Sequence, residues 1–472
     1  MKTATVGDHA VVLGASMAGL LAARVLTDAY HQVTVIERDI LPHDLAGRRG
    51  VPQGRHLHAL HARGRELLDE LFPGFTEQLV QAGAVTADSL GDARIHVSGQ
   101  LLRQADIGLP ALSASRPFIE GHVRQRVRAL PAVRFVEGCD VLGLVTGDEQ
   151  RRVTGVRLGH RDDRGSQHTV PADVVVDATG RGSRTPVWLE QFGYPRPAID
   201  RVEIGLGYAS RRYRLRPGAL GNDAAILTGP TPANPRAGAI SPVEGGQHMV
   251  TLAGILGDHP PLDPAGFGAF AASICYPDLA EALAHAIPVD DPVGFRFPVS
   301  VRHRYERLRR FPVGLLVIGD AVCSFNPIYG QGMTVAAMQA VTLRELLRGG
   351  SPPAAHKYFR RIAKMIDTPW DINVGTDLAF PGVPGRRSTK VRMVNAYLPR
   401  LHAAASTDSS LGRAFMRVVG MLDRPEGLVR PDRALRVLWA HLRGTPAPAG
   451  GPVLVGDAGG PASCPADLSQ RW

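Results

Sequence analysis

Three glycine turns carry the residues whose types and spacing could do chemistry. The first is Gly14-Ala15-Ser16-Met17-Ala18-Gly19, which follows the apolar run Ala10–Leu13 and leads into a helix-forming run through Leu26. A second apolar run, Gln32–Ile36, ends in Glu37 and Arg38. Strand, glycine turn, helix, strand and terminal acid make a dinucleotide-binding βαβ unit. Gly14 lets the chain turn sharply, and Ala15 and Ser16 are small enough for a pyrophosphate to approach the backbone. Gly19 lets the helix lie close on the strand, and the N–H groups at its start face the phosphates. Glu37 stands where a carboxylate can accept hydrogen bonds from a ribose. Ser16 replaces the middle glycine of the fingerprint and adds a hydroxyl donor.

The second turn, Asp177-Ala-Thr-Gly180-Arg-Gly182-Ser183, ends the β-branched run Ala172–Ala178, which reads as a buried parallel strand. The third begins with Gly319-Asp320 after the run Leu315–Ile318. It continues through Pro327, Gly330 and Gly332 into a long helix from Met333 to Leu347. Donors cluster in sequence around the first turn. Arg48, Arg49, Gln53 and Arg55 occupy one loop. Arg116, Arg124 and Arg128 recur on one face of a helix, where the choice is between a solvated basic face and cofactor contacts. His56, His58 and His61 are expected on a helix with Leu57, Leu60, Gly64, Leu68 and Leu71. No carboxylate adjoins them and no H-E-x-x-H pattern occurs, so they read as donors near the cofactor or as solvated residues, and no metal is assigned. No Ser/His/Asp triad stands out, and no acid–base residue is assigned.

The elements that must position these turns follow from the rest of the 472 residues. Residues 1–85, 111–194 and 302–350 read as one discontinuous dinucleotide-binding domain. Residues 86–110 and 195–301, where strand-like runs alternate with Pro/Gly turns around one helical piece near Phe267–Ile287, read as a mostly antiparallel sheet. Residues 351–444 read as helical and 445–472 as a flexible tail. The net charge of +10 is carried almost wholly by dispersed arginine, with no aromatic-interleaved basic run, which argues against nucleic acid. No stretch approaches the roughly 20 apolar residues of a membrane span. Four scattered cysteines without C-x-x-C spacing fit a cytoplasmic protein.

One dinucleotide fingerprint followed by two acid–glycine turns resembles the FAD-binding fold of the para-hydroxybenzoate hydroxylase and glutathione reductase superfamily. More narrowly it resembles the group A flavin monooxygenases with their halogenase and isoprenoid-reductase cousins, over roughly residues 8–345. The runs GVPQGRHLHAL and TPWDINVGTDLAFPGVPG are similar to those of bacterial natural-product epoxidases such as the polyether polyene epoxidases. The resemblance implies an α/β fold, α+β overall: a glutathione-reductase-type FAD-binding Rossmann domain, a mostly antiparallel substrate sheet and a C-terminal helical region. It implies non-covalent FAD, with Asp320 on a ribityl hydroxyl, the Gly330–Met333 turn at the flavin N1–C2 edge, Pro327 beside the ring, and Arg116, Arg124 and Asp177 along the cofactor.

The activity implied is a monooxygenase that transfers one atom of O2 through a flavin C4a-hydroperoxide, chiefly to an alkene of a polyketide or prenylated intermediate in antibiotic-type biosynthesis. Aromatic hydroxylation, isoprenoid double-bond reduction and non-catalytic sequestration of an apolar metabolite are the alternatives. The halogenase W-x-W-x-I-P motif is absent, since Trp occurs only at 188, 370, 439 and 472. Gly456-Asp457 lacks a following helix, so no second βαβ serves NAD(P)H, and the reductant acts transiently or through a partner flavin reductase. Tyr208, Met249, Phe295, Phe297, Phe325 and Trp370 are the candidates for an apolar substrate pocket.

Overall fold

The computed structural model describes residues 5–48, 50–147, 150–161 and 167–444. Arg49 and the expected flexible tail, 445–472, lie outside the described residues. The elements used below are, in chain order, β1 (Gly7–Leu13), α1 (Met17–Leu26), β2 (Tyr30–Ile36), β3 (Ala93–Val97), α2 (Arg116–Arg128), β4 (Val133–Val136), β5 (Val174–Asp177) and β6 (Ile199–Arg214). They continue with β7 (Ala225–Thr228), β8 (Arg236–Val243), β9 (Gln247–Gly254), β10 (Val293–His303), β11 (Leu315–Val317), α3 (Gly332–Leu347), α4 (Ala355–Asp377), α5 (Thr389–Ala405) and α6 (Ser409–Val419).

A parallel sheet in the order β11-β5-β1-β2-β4 forms the first layer. Its strands are short, apolar runs because both faces are covered; the last four residues of β1 and all of β5 are buried. Leu20, Leu21 and Val25 of α1 join Val335, Ala340 and Leu343 of α3 in one core with this sheet. The three glycine turns follow β1, β5 and β11, three neighbouring parallel strands, and so emerge at the same sheet edge. That edge, outside the carboxyl ends of the strands, is where open α/β sheets bind ligands.

The larger sheet runs Cys323–Ser324, β10, β6, β9, β8, β7, β3 and Gln100–Leu101, with Ile287–Pro288 also pairing with β6. Its pairs are antiparallel apart from β3 with β7. The register of β6 slips between Glu203 and Leu206, and Gly205 absorbs the irregularity at φ 58°. One face is covered by two helices, Pro264–Ala272 and Asp278–Leu283, rather than the single piece expected across Phe267–Ile287. Pro277 ends the continuity, and Ile287 leaves to pair with Arg214. The mixed α/β architecture expected from the sequence is the one observed.

The helix expected from Leu57 begins only at Ala62. Residues 56 and 57 are instead bonded to the large sheet, and Ala59–Leu60 pairs antiparallel with Leu112–Ser113 in a small separate sheet. His56 Nδ1 lies 2.8 Å from Ser210 Oγ, and the Leu57 N–H donates to Thr251 Oγ1 at 3.1 Å. Tertiary hydrogen bonds thus override the local periodicity, and the three histidines precede the helix, with His61 as its N-cap. The C-terminal helices divide their labour. Tyr358, Phe359, Ile362 and Ile366 of α4 enter the main core. Leu401 of α5 and Leu411, Ala414 and Val418 of α6 pack with Leu90, Ala93 and Ile95 of the β3 region. Among the described residues, no helix is long and apolar enough to cross a membrane.

Candidate functional site

A cavity of about 1320 Å³ opens at the shared edge and extends between the large sheet and helices α5 and α6. Its size exceeds the ~1,000 Å³ upper range of a site for one drug-sized ligand, leaving room for a dinucleotide and a second molecule.

At the β1–α1 end, Gly14 adopts φ 98° and a Cβ on Gly19 would stand 1.8 Å from the Gly14 carbonyl oxygen, so the close turn admits no side chain there. Gly14, Ser16, Met17 and Ala18 line the cavity, whereas Ala15 and Gly19 serve the packing behind it. The Ser16 hydroxyl does not cap α1. It donates to Glu120 Oε2 at 2.8 Å and accepts from Arg116 Nη2 at 3.1 Å. The N–H groups of Met17, Ala18 and Gly19 therefore keep no acceptor among the described residues, the state in which a helix start binds an anion.

Glu37 braces the same turn. Its Oε2 accepts from the Ala15 N–H at 2.8 Å and from Arg48 Nη1 at 3.0 Å, while Oε1 accepts from the N–H groups of Arg38 and Asp39. Arg48 also reaches Asp39 at 3.3 Å and Glu120 at 3.2 Å. Burial alone would raise the Glu120 carboxyl, but the Arg116 and Arg48 guanidiniums win and hold it below its usual value. Arg48 is likewise pushed up, the pull of Glu37 and Glu120 outweighing its desolvation. Glu120 is the member that the sequence reading missed. Arg116, Glu120 and Arg124 at spacing four lie on one helix face, which could have signalled it. Arg38 and Gln53 line the cavity wall.

Two predicted residues turn away. Arg124 donates to the Asp44 carbonyl at 2.9 Å and does not line the cavity. Asp177 is fully buried beneath its turn. Oδ1 accepts from the Thr179 N–H and Oγ1, and Oδ2 from Ser183 Oγ and Thr185 Oγ1, at 2.5–2.9 Å. With its oxygens engaged it shapes the turn from inside, and Thr179, Gly180 and Arg181 are what the cavity meets.

At the third turn, Gly319 adopts φ 71° against α1, where a Cβ would lie 2.6 Å from the Ala18 Cβ. The Asp320 carboxylate lines the cavity with no hydrogen bond among the described residues. Burial raises it, with Arg116 and Arg181 opposing. Pro327, Gly330, Gly332 and Met333 line the wall beyond it. Gln331, the N-cap of α3, makes no side-chain cap, so this second helix start also presents unpaired N–H groups. Helix α4 holds the turn from behind, which the sequence did not reveal. Asn373 donates to Gln331 Oε1 at 2.8 Å, and Asp377 Oδ1 accepts from Asn326 Nδ2 at 3.0 Å and from the Tyr329 hydroxyl at 2.9 Å. Burial pushes the Asp377 carboxyl up to about 6.

Of the pocket candidates, Tyr208, Phe295, Phe297 and Phe325 line the cavity. Tyr208 faces Phe295 across the β6–β10 pair with ring centroids 5.4 Å apart, and Arg181 lies over the Phe297 ring at 4.6 Å. Met249 and Trp370 are corrections. Met249 lies on the face of Thr251 and Ala253 but outside the cavity wall, and Trp370 is spent in the main core. His56, His58 and His61 do line the cavity. Burial lowers all three, His56 to about 3 and His58 to about 4. Among the described residues no cluster of His, Cys, Asp and Glu could hold a metal.

Two uncapped helix starts for phosphates or a developing anion, and the free carboxylate of Asp320 for a hydroxyl group, fit a dinucleotide; Glu37, expected on a ribose, has its oxygens engaged by four donors and braces the turn instead. No family model matches the chain. It is 38% identical over 435 residues to Protein Rv3254 of Mycobacterium tuberculosis, covering 88% of this chain and 90% of that one. It is 25% identical over 362 residues to squalene monooxygenase of Mus musculus, covering 74% of this chain but 56% of that relative's length. Among solved structures, a flavoprotein/dehydrogenase from Cytophaga hutchinsonii aligns with TM-score 0.66 at 15% identity, over 92% of this chain and 98% of that one. The p-nitrophenol 4-monooxygenase PnpA of Pseudomonas putida aligns with TM-score 0.61 at 16% identity, over 89% and 100%.

Proposed function

The chain belongs to the family of Protein Rv3254 and has the fold of flavin-dependent monooxygenases; from that premise we propose that it is an FAD-dependent monooxygenase that epoxidises an alkene of a polyketide or prenylated natural product. The observation that carries the reading is one cavity joining two uncapped helix starts to an apolar chamber. FAD, when bound and reduced, supplies the activation of O2 from which one oxygen atom reaches the substrate. The N–H groups of Met17–Gly19 would take the pyrophosphate, with Glu37 bracing that turn, and Asp320 would take a ribityl hydroxyl. The start of α3 would stabilise negative charge on the reduced ring. Tyr208, Phe295, Phe297 and Phe325 orient an apolar substrate and keep water away. Electrons come from NAD(P)H, directly or through a partner flavin reductase.

An alkene suits this wall better than a phenol. Hydroxylation of a phenol gains from a base that takes its proton, and His56, the imidazole packed against Tyr208 and Phe295, is weakened in that role by its burial. The likeness to squalene monooxygenase points the same way.

The test is single-turnover reaction of the reduced, FAD-loaded protein with isotopically labelled O2 and a panel of polyenes, prenylated aromatics and phenols. Label in an epoxide is the expected result. Label in a phenol moves the reading to aromatic hydroxylation. A saturated product without label, or no product at all, sinks the monooxygenase.

A further inference from the structure

Helices α5 and α6 and strand β3 contribute one wall of the cavity. Ile95, Val97, Leu398, Phe415, Met416 and Leu428 make it apolar, and Ser98 and His402 stand together within it. Ser98 is the tip of the hairpin joining β3 to Gln100–Leu101 and is held at φ 50°, a left-handed conformation that non-glycine residues seldom adopt. The tip is clamped from outside, where the Tyr276 hydroxyl donates to the Gly99 carbonyl at 2.5 Å. With Gly99 at φ 73°, Ser98 forms the two-residue turn that a tight hairpin requires.

His402 Nδ1 lies 2.9 Å from Ser98 Oγ, and its ring packs edge-on to Phe415 with centroids 4.6 Å apart. His402 is more than nine-tenths buried, and its Nε2 has no partner among the described residues. That asymmetry fixes the tautomer. A buried N–H without an acceptor costs more than a bare ring lone pair, so the proton belongs on Nδ1, where Ser98 Oγ accepts it. The Ser98 hydroxyl hydrogen is then left over, on a half-buried side chain at the cavity wall. Burial lowers His402 to about 4, so the pair carries no charge at neutral pH. The basic side chains of β3 are spent elsewhere. Arg94 is bound to Asp223 and Asp278 at 2.6 Å each, and His96 faces Asp278 at 3.3 Å.

We propose that the Ser98–His402 pair is a substrate anchor, a hydroxyl donor at the apolar wall that receives the hydroxyl or carbonyl oxygen of an otherwise apolar, uncharged molecule. This rests on the reading that the cavity holds the substrate. Ser98 makes the contact and His402 is the positioning residue behind it. A carboxylate or phosphate head would be desolvated there without a cation to meet it.

The experiment is calorimetric binding of geranylgeraniol, its parent hydrocarbon and geranylgeranoic acid to the FAD-loaded protein and to two variants. Ser98→Gly removes the hydroxyl while suiting the left-handed backbone, and His402→Phe removes the ring nitrogen that orders it. The alcohol is expected to bind about two- to tenfold more tightly than the hydrocarbon, and the acid more weakly than the alcohol. Both variants should lose the advantage of the alcohol while keeping FAD content and visible spectrum. If His402→Phe does not fold, Ser98→Gly decides. Equal affinities in the natural protein, no binding of the alcohol, a preference for the acid, or an undiminished preference in Ser98→Gly overturns the proposal. The labelled-oxygen experiment fails separately: loss of oxygen transfer with the alcohol preference intact leaves the anchor standing as a ligand site.

Discussion

The two ends of the cavity are built on opposite principles. At the β1–α1 end the side-chain polar groups are tied into one buried network of Arg48, Arg116, Glu37, Asp39, Glu120 and Ser16, and the backbone N–H groups are what remain available. At the α5–α6 end the backbone is consumed by helix and strand, the wall is apolar, and a few side-chain atoms such as Thr228 Oγ1 and His402 Nε2 remain unpaired. The first end suits a ligand whose phosphates and hydroxyls never change. The second can be re-specified by replacing side chains without disturbing the first. Loss of one end should therefore leave the other partly intact, and variants can test that separation.

The largest effect is expected at Glu120. Glu120→Ala strips Arg116 and Arg48 of a shared buried carboxylate, and breaking a buried pair costs about 3–5 kcal/mol. Chemical denaturation should register that loss, and the purified variant should retain little FAD. Leu411→Ala strikes the other end. Leu411 is fully buried with Leu90, Ala93 and Ile95, and truncation there costs about 2–5 kcal/mol. The folded fraction should keep FAD at full stoichiometry while losing affinity for apolar ligands. If Leu411→Ala releases FAD as readily as Glu120→Ala does, the two ends are one cooperative unit and the contrast fails.

The same contrast explains what could be read from the sequence. Gly14–Gly19, Gly319-Asp320 and Gly330–Gly332 are legible because their requirement is local: a backbone that approaches another closely or turns at positive φ needs glycine at fixed spacing. Asp177 has the right type and spacing, yet which way its carboxylate points depends on Ser183 and Thr185 farther along the chain. Met249 and Trp370 are apolar in the right segments, but apolarity does not say whether a side chain meets a cavity or a core. The chamber is the least legible part. Its wall joins residues near 95 to residues near 400, and the apolar stripes of α5 and α6 carry no mark of the surface they will cover. Asp377 and Asn373 were invisible for the same reason, since they act across the fold on a turn some 45 residues earlier.

Asp377 stands behind the third turn, and its expected effect is smaller and pH-dependent. It closes α4, where a negative charge opposes the helix dipole. Its buried carboxyl titrates at about 6 in the folded protein, against about 3.9 when unfolded. The folded state therefore binds the proton more tightly. Stability from this group is fully present below the unfolded value, falls as pH rises from about 4 to about 6, and stays lower beyond. Tyr329 and Asn326, which donate to Oδ1, oppose the shift without cancelling it. Asp377→Asn keeps an acceptor at Oδ1 and removes the charge. Its melting temperature should exceed that of the natural protein at pH 7, and the difference should close as pH falls toward 4. A difference independent of pH would show that the carboxyl is not the titrating group.

The smallest effect is expected at a solvent-exposed contact between two of the C-terminal helices. Lys390 Nζ lies 2.9 Å from Asp371 Oδ2, joining α5 to α4, but the two side chains are 75% and 58% exposed. Water screens such a pair, and holding two long side chains in one geometry costs entropy, so Lys390→Ala should change stability by less than about 1 kcal/mol. What keeps α5 in place is then the buried contact of Leu401 and Ala405 with the β3 region. The Lys390→Ala variant should bind FAD and apolar ligands as the natural protein does, at low and high salt alike. A larger loss that salt reproduces in the natural protein would mean that charge, rather than apolar burial, closes the chamber, and the two ends would then be alike in kind.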